Sequence, residues 1–325
     1  MEMQNIKFKI IMDENENVDV ENLRFDRILS AKLYKHLNDD QMEARPEDEM
    51  EDQLEDELED PPLNTLLKSI YYIPAVIFIV PYRDRANEMV FFKEKMTKIM
   101  EDYPHGYYKI YYIQQNHEKP FNRGAMKNIG FLMVKSKYPT HYKNITLVFN
   151  DLDTVPTTKT TIPNYCTTRG IIKHFYGYKH ALGGIVSILA GDFETVNGFP
   201  NYYSWGFEDN ELSDRILKNK MFIDRSVFYH IRDDINILQL KDTPYRITNK
   251  GEYDRFLRKV EEGINTIYDL SFTTNDITGI VDVTHFKTKH NVNEKLNFIH
   301  DGRINNIPFK TGYSAKKRCK INMLI

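Results

Sequence analysis

Two cysteines in 325 residues, Cys166 and Cys319, are too few for a disulfide framework. The fold must therefore rest on a buried apolar core, and free thiols in a reducing compartment are the expectation. Long apolar runs are also lacking. The longest near the amino end, Ile73 to Val80, falls well short of the ~20 residues that a spanning helix needs. Met1 to Glu14 carries charges throughout and holds no signal-peptide core. These absences lead to the expectation of a soluble, cytoplasmic protein with no transmembrane segment. Nothing in the chain repeats internally, and Trp205 is its single tryptophan.

A strong charge of one sign is missing too, since the formal net charge is -3. The balance is uneven along the chain. Residues 46–60, PEDEMEDQLEDELED, hold ten acids and no base, which leaves 44 bases against 37 acids elsewhere. Such an acidic block reads as a solvated linker rather than a binding surface. The mildly basic remainder suits an anionic small molecule and is too weakly charged to argue for nucleic acid.

What is present is a core: 41% of residues are hydrophobic, with 21 Tyr and 19 Phe. Three parts are expected. Residues 1–62 form an amino-terminal segment, with a short strand at Ile6 to Ile11, a helical stretch at Arg27 to Leu37 and the acidic linker. Residues 63–285 form an α/β domain, and residues 286–325 a polar, basic, irregular extension. Within the middle part, Ala75 to Val80 reads as a buried strand, followed by an amphipathic helix that ends at Met100. Tyr107 to Ile113, Gly124 to Val134 and Thr146 to Phe149 continue the alternation as strand, helix and strand. Strands alternating with helices predict a mainly parallel central sheet covered by helices on both faces.

In such a sheet ligands bind beyond the carboxyl ends of the strands, and the chemistry-bearing residues cluster at those ends. Asp151-Leu152-Asp153 closes the strand that ends at Asn150. Two carboxylates at a strand tip suit a divalent metal holding a diphosphate, although solvated acids in a turn would look the same. Pro81-Tyr82-Arg83-Asp84-Arg85 follows the first strand; its arginines can fork onto phosphate and Tyr82 can stack on a ring. Phe121-Asn122-Arg123 precedes a helix that Asn122 can cap, and an arginine at a helix start suits an anion. Gly183-Gly184 permits close backbone approach to a ligand, or simply a turn. Ser204-Trp205-Gly206-Phe207-Glu208-Asp209 places acids where a following helix starts. They can serve there as helix-dipole partners or as a proton acceptor beside an aromatic lid. His230, in Tyr229-His230-Ile231-Arg232-Asp233, suits either structure or a borderline metal ion.

Taken in order, these segments resemble the β-1,4-galactosyltransferases, glycosyltransferase family 7, from about Ile73 to Val283. The resemblance rests on the Pro-aromatic-Arg-x-Arg loop, Phe-Asn-Arg before a helix, and Asp-x-Asp followed by Pro156. Gly-Gly-x-x-Ser (Gly183 to Ser187), Asn197 to Asn201, Trp-Gly-x-Glu-Asp and His-x-Arg-Asp continue it. Tyr253-Asp254-Arg255 and Glu262 to Asn265 complete it. It implies a nucleotide-sugar-binding GT-A fold and Mn²⁺-dependent, inverting transfer of galactose or N-acetylgalactosamine from a UDP-sugar to a glycan hydroxyl. By matching, Asp153 and His230 would bind the metal. Pro81, Tyr82, Arg83, Arg85, Phe121, Arg123, Asp151, Gly184 and Trp205 would bind the donor. Tyr178, Glu208 and Asp209 would bind the acceptor, with Asp209 as general base.

The chain departs from the pattern at several of these places. Val227 stands where the family has a metal-binding Met, and Phe207 where it has a second Gly after Trp. Asn210 replaces a third acid. Ala181-Leu182 replaces a Tyr-aromatic pair, and the small Ala181 leaves room for the N-acetyl group of UDP-GalNAc. Cys166 falls on a disulfide cysteine of the family, but no partner stands near Thr146. These departures keep two other readings open: an inactive glycan- or partner-binding relative, and a transferase of another UDP-sugar such as UDP-xylose or UDP-glucose.

Overall fold

The computed structural model describes residues 73–301 except 105, 232 and 241–244. The chain divides into two units, Met1–Tyr72 and Ile73–Ile325, and the described residues belong to the second. The strand and helix expected before residue 40, and Cys319, lie outside the described residues.

The first strand, β1 (Val76–Tyr82), is buried along its whole length. Its side chains alternate between two cores. Ile77 and Ile79 enter one apolar cluster, and Val76, Phe78, Val80 and Tyr82 enter another on the opposite face. Helix α1 (Ala86–Ile99) covers the second cluster with Phe92, Met96 and Ile99. After β2 (Tyr108–Gln115), helix α2 (Arg123–Lys137) covers the first with Met126, Ile129, Phe131 and Val134. Each fully buried side chain of this kind contributes about 1.5–3 kcal/mol. Truncating Phe78 would cost about 3–5 kcal/mol.

β3 (Thr146–Asn150), β4 (Thr154–Pro156), β5 (Ile171–Gly177) and β6 (Ile185–Leu189) follow. Helices α3 (Ala190–Thr195) and α4 (Glu208–Lys218) come next. After them lie β7 (Phe222–Asp224), β8 (Tyr229–His230), β9 (Ile237–Gln239) and β10 (Tyr245–Asn249). The rest is helix α5 (Lys250–Leu257), β11 (Tyr268–Asn275), β12 (Ile280–Lys287) and β13 (Asn297–Asp301). The main sheet has nine strands in the order β11-β12-β2-β1-β3-β6-β5-β7, with β8 also paired to β5. β12, β2, β1 and β3 run parallel, as do β5, β7 and β8. β6 and β11 run against their neighbours. This is the GT-A-type fold with a mainly parallel sheet and helices on both faces.

Register builds the functional edge. Asn150 lies opposite Ile185, Ile185 opposite Tyr176, and Tyr176 opposite Tyr229. Because β6 is reversed, its amino end, preceded by Gly183-Gly184, meets the carboxyl ends of β3, β5 and β8. On the other side, Ile79 pairs with Phe149, and Tyr82 with Gln114.

The carboxy-terminal stretch is not wholly irregular. β13 pairs antiparallel with β10 in a separate ribbon, Ile299 opposite Ile247. Behind this ribbon, α5 buries Arg255 between the carboxylates of Glu252 and Glu262.

Candidate active site

The Asp-Leu-Asp turn is held by its neighbours. The buried Asn150 amide donates to the carbonyls of Asp151 and Thr154, both at 2.8 Å. Leu152 points into the second apolar cluster, which leaves the carboxylates on either side of it to face the cavity. They take different cations. Asp153 Oδ2 lies 3.2 Å from Arg85 Nη1, and Asp151 Oδ1 lies 2.6 Å from Arg123 Nη2.

Arg123 is the hub of the site. It opens α2, whose cap is Asn122, accepting from the Ala125 amide at 2.8 Å. Its Nη1 also meets Glu208 Oε1 at 2.8 Å and Asp209 Oδ2 at 3.1 Å. Both acids lie in the first turn of α4, where the helix dipole favours negative charge. Burial alone would lower the Arg123 pKa, but the three carboxylates hold it well above its ordinary value. Burial, reinforced by Asp209, raises the Glu208 pKa. Burial also raises that of Asp151, and Arg123 only partly opposes it. For Asp209 burial would likewise raise the pKa, but Arg123 and Lys127 outweigh it and hold the group below its ordinary value. Asp209 is thus the one acid of the three whose pKa is held down, and its side chain remains partly open to the cavity.

The glycine pair seats that acid. A Cβ on Gly183 would lie 2.3 Å from Asp209 Oδ2, and Gly184 has φ +77° with its backbone against the Tyr176 carbonyl. Only glycine meets both demands. Behind the turn, burial and Arg225 push the His174 pKa down to about 4. Its neutral ring accepts from Arg225 Nε at Nδ1 and faces the Gly183 carbonyl at Nε2, both at 3.1 Å.

The acids, Arg85, Arg123 and the glycine pair line one cavity of about 900 Å³, the size of an ordinary small-molecule site. Pro81, Arg83, Arg85, Phe121, Arg123, Asp151 and Asp153 border it, as do Tyr178, Ala181, Gly184, Trp205, Glu208 and Asp209. Two expected site residues do not. Tyr82 shares the parity of Val76, Phe78 and Val80 and packs with them in the core. His230 is exposed, edge-on to Tyr178 with ring centres 6.0 Å apart.

Other lining residues belong to no motif. Tyr245, Arg246, Ile247, Glu294 and Asn297 come from the β10–β13 ribbon and the turn leading into it. The ribbon grips the loop before α4. The Trp205 amide donates to the Ile247 carbonyl at 2.8 Å, and the Trp205 ring stacks on His300 at 6.1 Å. That loop is wound tightly, with left-handed φ at Ser204, Gly206 and Phe207. Phe207, at +74°, takes a conformation that suits glycine, and its ring packs on Tyr253 and Phe256. Lys127, one turn after Arg123, was also missed. Its only signal in the sequence is the four-residue spacing from Arg123.

The residues present partly suit a divalent metal. His230 Nδ1 lies 3.1 Å from the Ile231 carbonyl; donating there leaves the Nε2 lone pair to bind an ion. Asp153 offers a carboxylate. Val227 packs against the second apolar cluster and offers no donor. Among the described residues, no group of three or more His, Cys, Asp or Glu side chains is placed to hold a metal. Asp153 and His230 are the residues that would hold such an ion.

The fold is of the GT-A type, and the acids, arginines and indole of the site gather at the carboxyl ends of its strands. Profile comparison gives the family. Residues 70–166 match the N-terminal region of glycosyl transferase group 7, and residues 171–236 match the N-terminal domain of galactosyltransferase. The chain belongs to the β-1,4-galactosyltransferase family, glycosyltransferase family 7. It is 31% identical over 156 residues to the xylosylprotein 4-beta-galactosyltransferase of Caenorhabditis elegans, covering 45% of this chain and 52% of that protein. It is 27% identical over 185 residues to beta-1,4-galactosyltransferase 4 of Mus musculus, covering 51% and 52%. The chain thus spans about half the length of the curated relatives it matches. The fold is similar to the catalytic domain of Drosophila beta1,4galactosyltransferase 7, solved with xylobiose. The TM-score is 0.52 and the identity 17%, with coverage of 68% of this chain and 97% of that one.

Family membership overturns the cytoplasmic expectation, because relatives are typically Golgi membrane proteins. The expectation rested on absences that do not bear on the question. No helix among the described residues is long and apolar enough to cross a membrane, but residues 1–72 lie outside them. Cys166 is a free thiol whose Sγ lies 3.0 Å from the Tyr107 hydroxyl. A single unpaired thiol does not identify a compartment.

Proposed function

We propose that the chain transfers galactose or N-acetylgalactosamine from a UDP-sugar to a glycan hydroxyl with inversion, using Asp209 as general base. One observation carries the reading: Arg123 joins Asp151, at the donor edge of the sheet, to Glu208 and Asp209 within a single cavity. Mn²⁺ held through Asp153 and His230 would neutralise charge on the departing UDP. Arg83 and Arg85 add cationic charge at the same edge. The acceptor oxygen attacks the anomeric carbon as the bond to UDP breaks, and Asp209 takes the hydroxyl proton. A single displacement needs no protein nucleophile. Trp205 covers one side of the cavity and helps to exclude water. Ala181 at the cavity wall supports acceptance of the N-acetyl group.

The test is UDP release from UDP-Gal and UDP-GalNAc with Mn²⁺, with and without xylose, glucose and N-acetylglucosamine as acceptors. Acceptor-stimulated release is expected from at least one pair. In an Ala181→Tyr variant, use of UDP-GalNAc is expected to fall relative to UDP-Gal. An inactive, ligand-binding relative is the second reading, favoured by Val227 in the apolar cluster and by Arg85 on Asp153. UDP binding without turnover of any donor would establish it.

A further inference from the structure

Lys127 belongs to none of the motifs that identify the family, yet it is less solvated than any other cation of the site, at 1% exposure. It follows Arg123 by four residues, so both project from one face of α2 toward the start of α4. Each takes a different oxygen of Asp209. Arg123 Nη1 meets Oδ2 at 3.1 Å, and Lys127 Nζ meets Oδ1 at 3.0 Å. The plane of the carboxylate is thereby fixed from one side, with Gly183 close against Oδ2 on another. Arg123 divides its charge among three acids. The ion pair of Lys127 is with Asp209, and its ammonium lies 4.2 Å from the centre of the Phe199 ring.

We propose that Lys127 is a positioning residue for transfer, which orients the Asp209 carboxylate and sets a second positive charge against it. The proposal rests on the reading of Asp209 as general base. The groups facing Asp209 are Arg123 and Lys127 from α2, Glu208 beside it, Asp151 from the end of β3, and the neutral His174 behind Gly183. With Lys127 uncharged, three acids would share one arginine. Burial and like charge would then dominate at Asp209, which would bind a proton at higher pH. A lysine placed only to neutralise a buried acid for folding would instead affect stability alone.

The experiment compares Lys127→Met, Lys127→Gln and Lys127→Arg with the unaltered chain. UDP release from UDP-Gal is followed as a function of pH with the best acceptor sugar, and thermal melts check folding. The acidic limb of kcat/KM is expected to move up by about 1–3 pH units in the Met and Gln variants and to stay in place in the Arg variant. Gln fills the same space and can still donate a hydrogen bond, so it tests the charge even if Met does not fold. An unmoved limb in folded Gln or Met variants, with activity lowered equally at every pH, would overturn the proposal. Failure of the base reading is seen separately: Asp209→Asn would then retain turnover with the limb intact.

Discussion

Replacing Glu252 with Gln should make the protein more stable at alkaline pH. Glu252 is 2% exposed, and burial pushes its pKa from 4.5 up to about 7, with Arg255 opposing and Glu262 reinforcing the rise. Burial raises Glu262 as well, so two carboxylates share one guanidinium. His290 Nε2, 3.5 Å from Glu252 Oε1, adds little charge, because burial and nearby arginines lower its pKa. The folded pKa of Glu252 lies above the unfolded one, so folding takes up a proton between about pH 4.5 and pH 7. The stabilisation is complete below that window and is lost as pH rises through it. The displacement corresponds to about 3 kcal/mol. Gln resembles the protonated acid and leaves Glu262 alone with Arg255. Allowing for the lost charge on Arg255, a gain of about 1–3 kcal/mol at pH 8 is expected, shrinking toward zero near pH 5. For a domain of this size that is about 2–4 °C in Tm per kcal/mol. Urea unfolding of both proteins from pH 5 to pH 8 measures it. Parallel stability curves, or a less stable variant at pH 8, would refute the reasoning.

Three further outcomes are expected. Asp209→Asn should lower kcat about 10²–10⁴-fold in the UDP-release assay while UDP binding is retained. Gly183→Ala should fold yet lose most transfer activity, because its methyl group would displace Asp209 Oδ2; a near-normal kcat would contradict the seating of the base. At Phe207 the usual order of substitutions should invert. Phe207→Ala loses the stack on Tyr253 and Phe256 and keeps the left-handed strain, whereas Phe207→Gly loses the same stack and relieves about 1 kcal/mol of strain. Denaturant melts should therefore rank the Gly variant above the Ala variant.

The sequence revealed the parts of this protein that repeat a simple period. Val76 to Val80 is uniformly apolar because it lies between two cores, and the helices on either side show their buried stripes. Asp151 and Asp153 were legible because a buried strand ends just before them, and Asn122 because capping needs a short polar side chain there. The same alternation shows why Tyr82 turns inward while Pro81 and Arg83 meet the cavity. Lys127 was not legible: a lysine one turn into a helix is ordinarily solvated, and only the approach of α4 gives it a carboxylate. β13 escaped notice because Ile299 is 77% exposed in a two-stranded ribbon, so no apolar face marks the strand. The left-handed Phe207 was hidden by its ring, since its packing lies with Tyr253 and Phe256 and not with local neighbours.

The lone tryptophan gives this chain a built-in optical reporter. Trp205 sits between left-handed residues, beside the cavity and against His300, and no second indole contributes emission. Excited at the red edge, where tyrosine hardly absorbs, its fluorescence describes one loop rather than an average over the molecule. Donor arrival, ribbon loosening and loop motion can each be timed by stopped-flow, with no label attached and without knowing the acceptor.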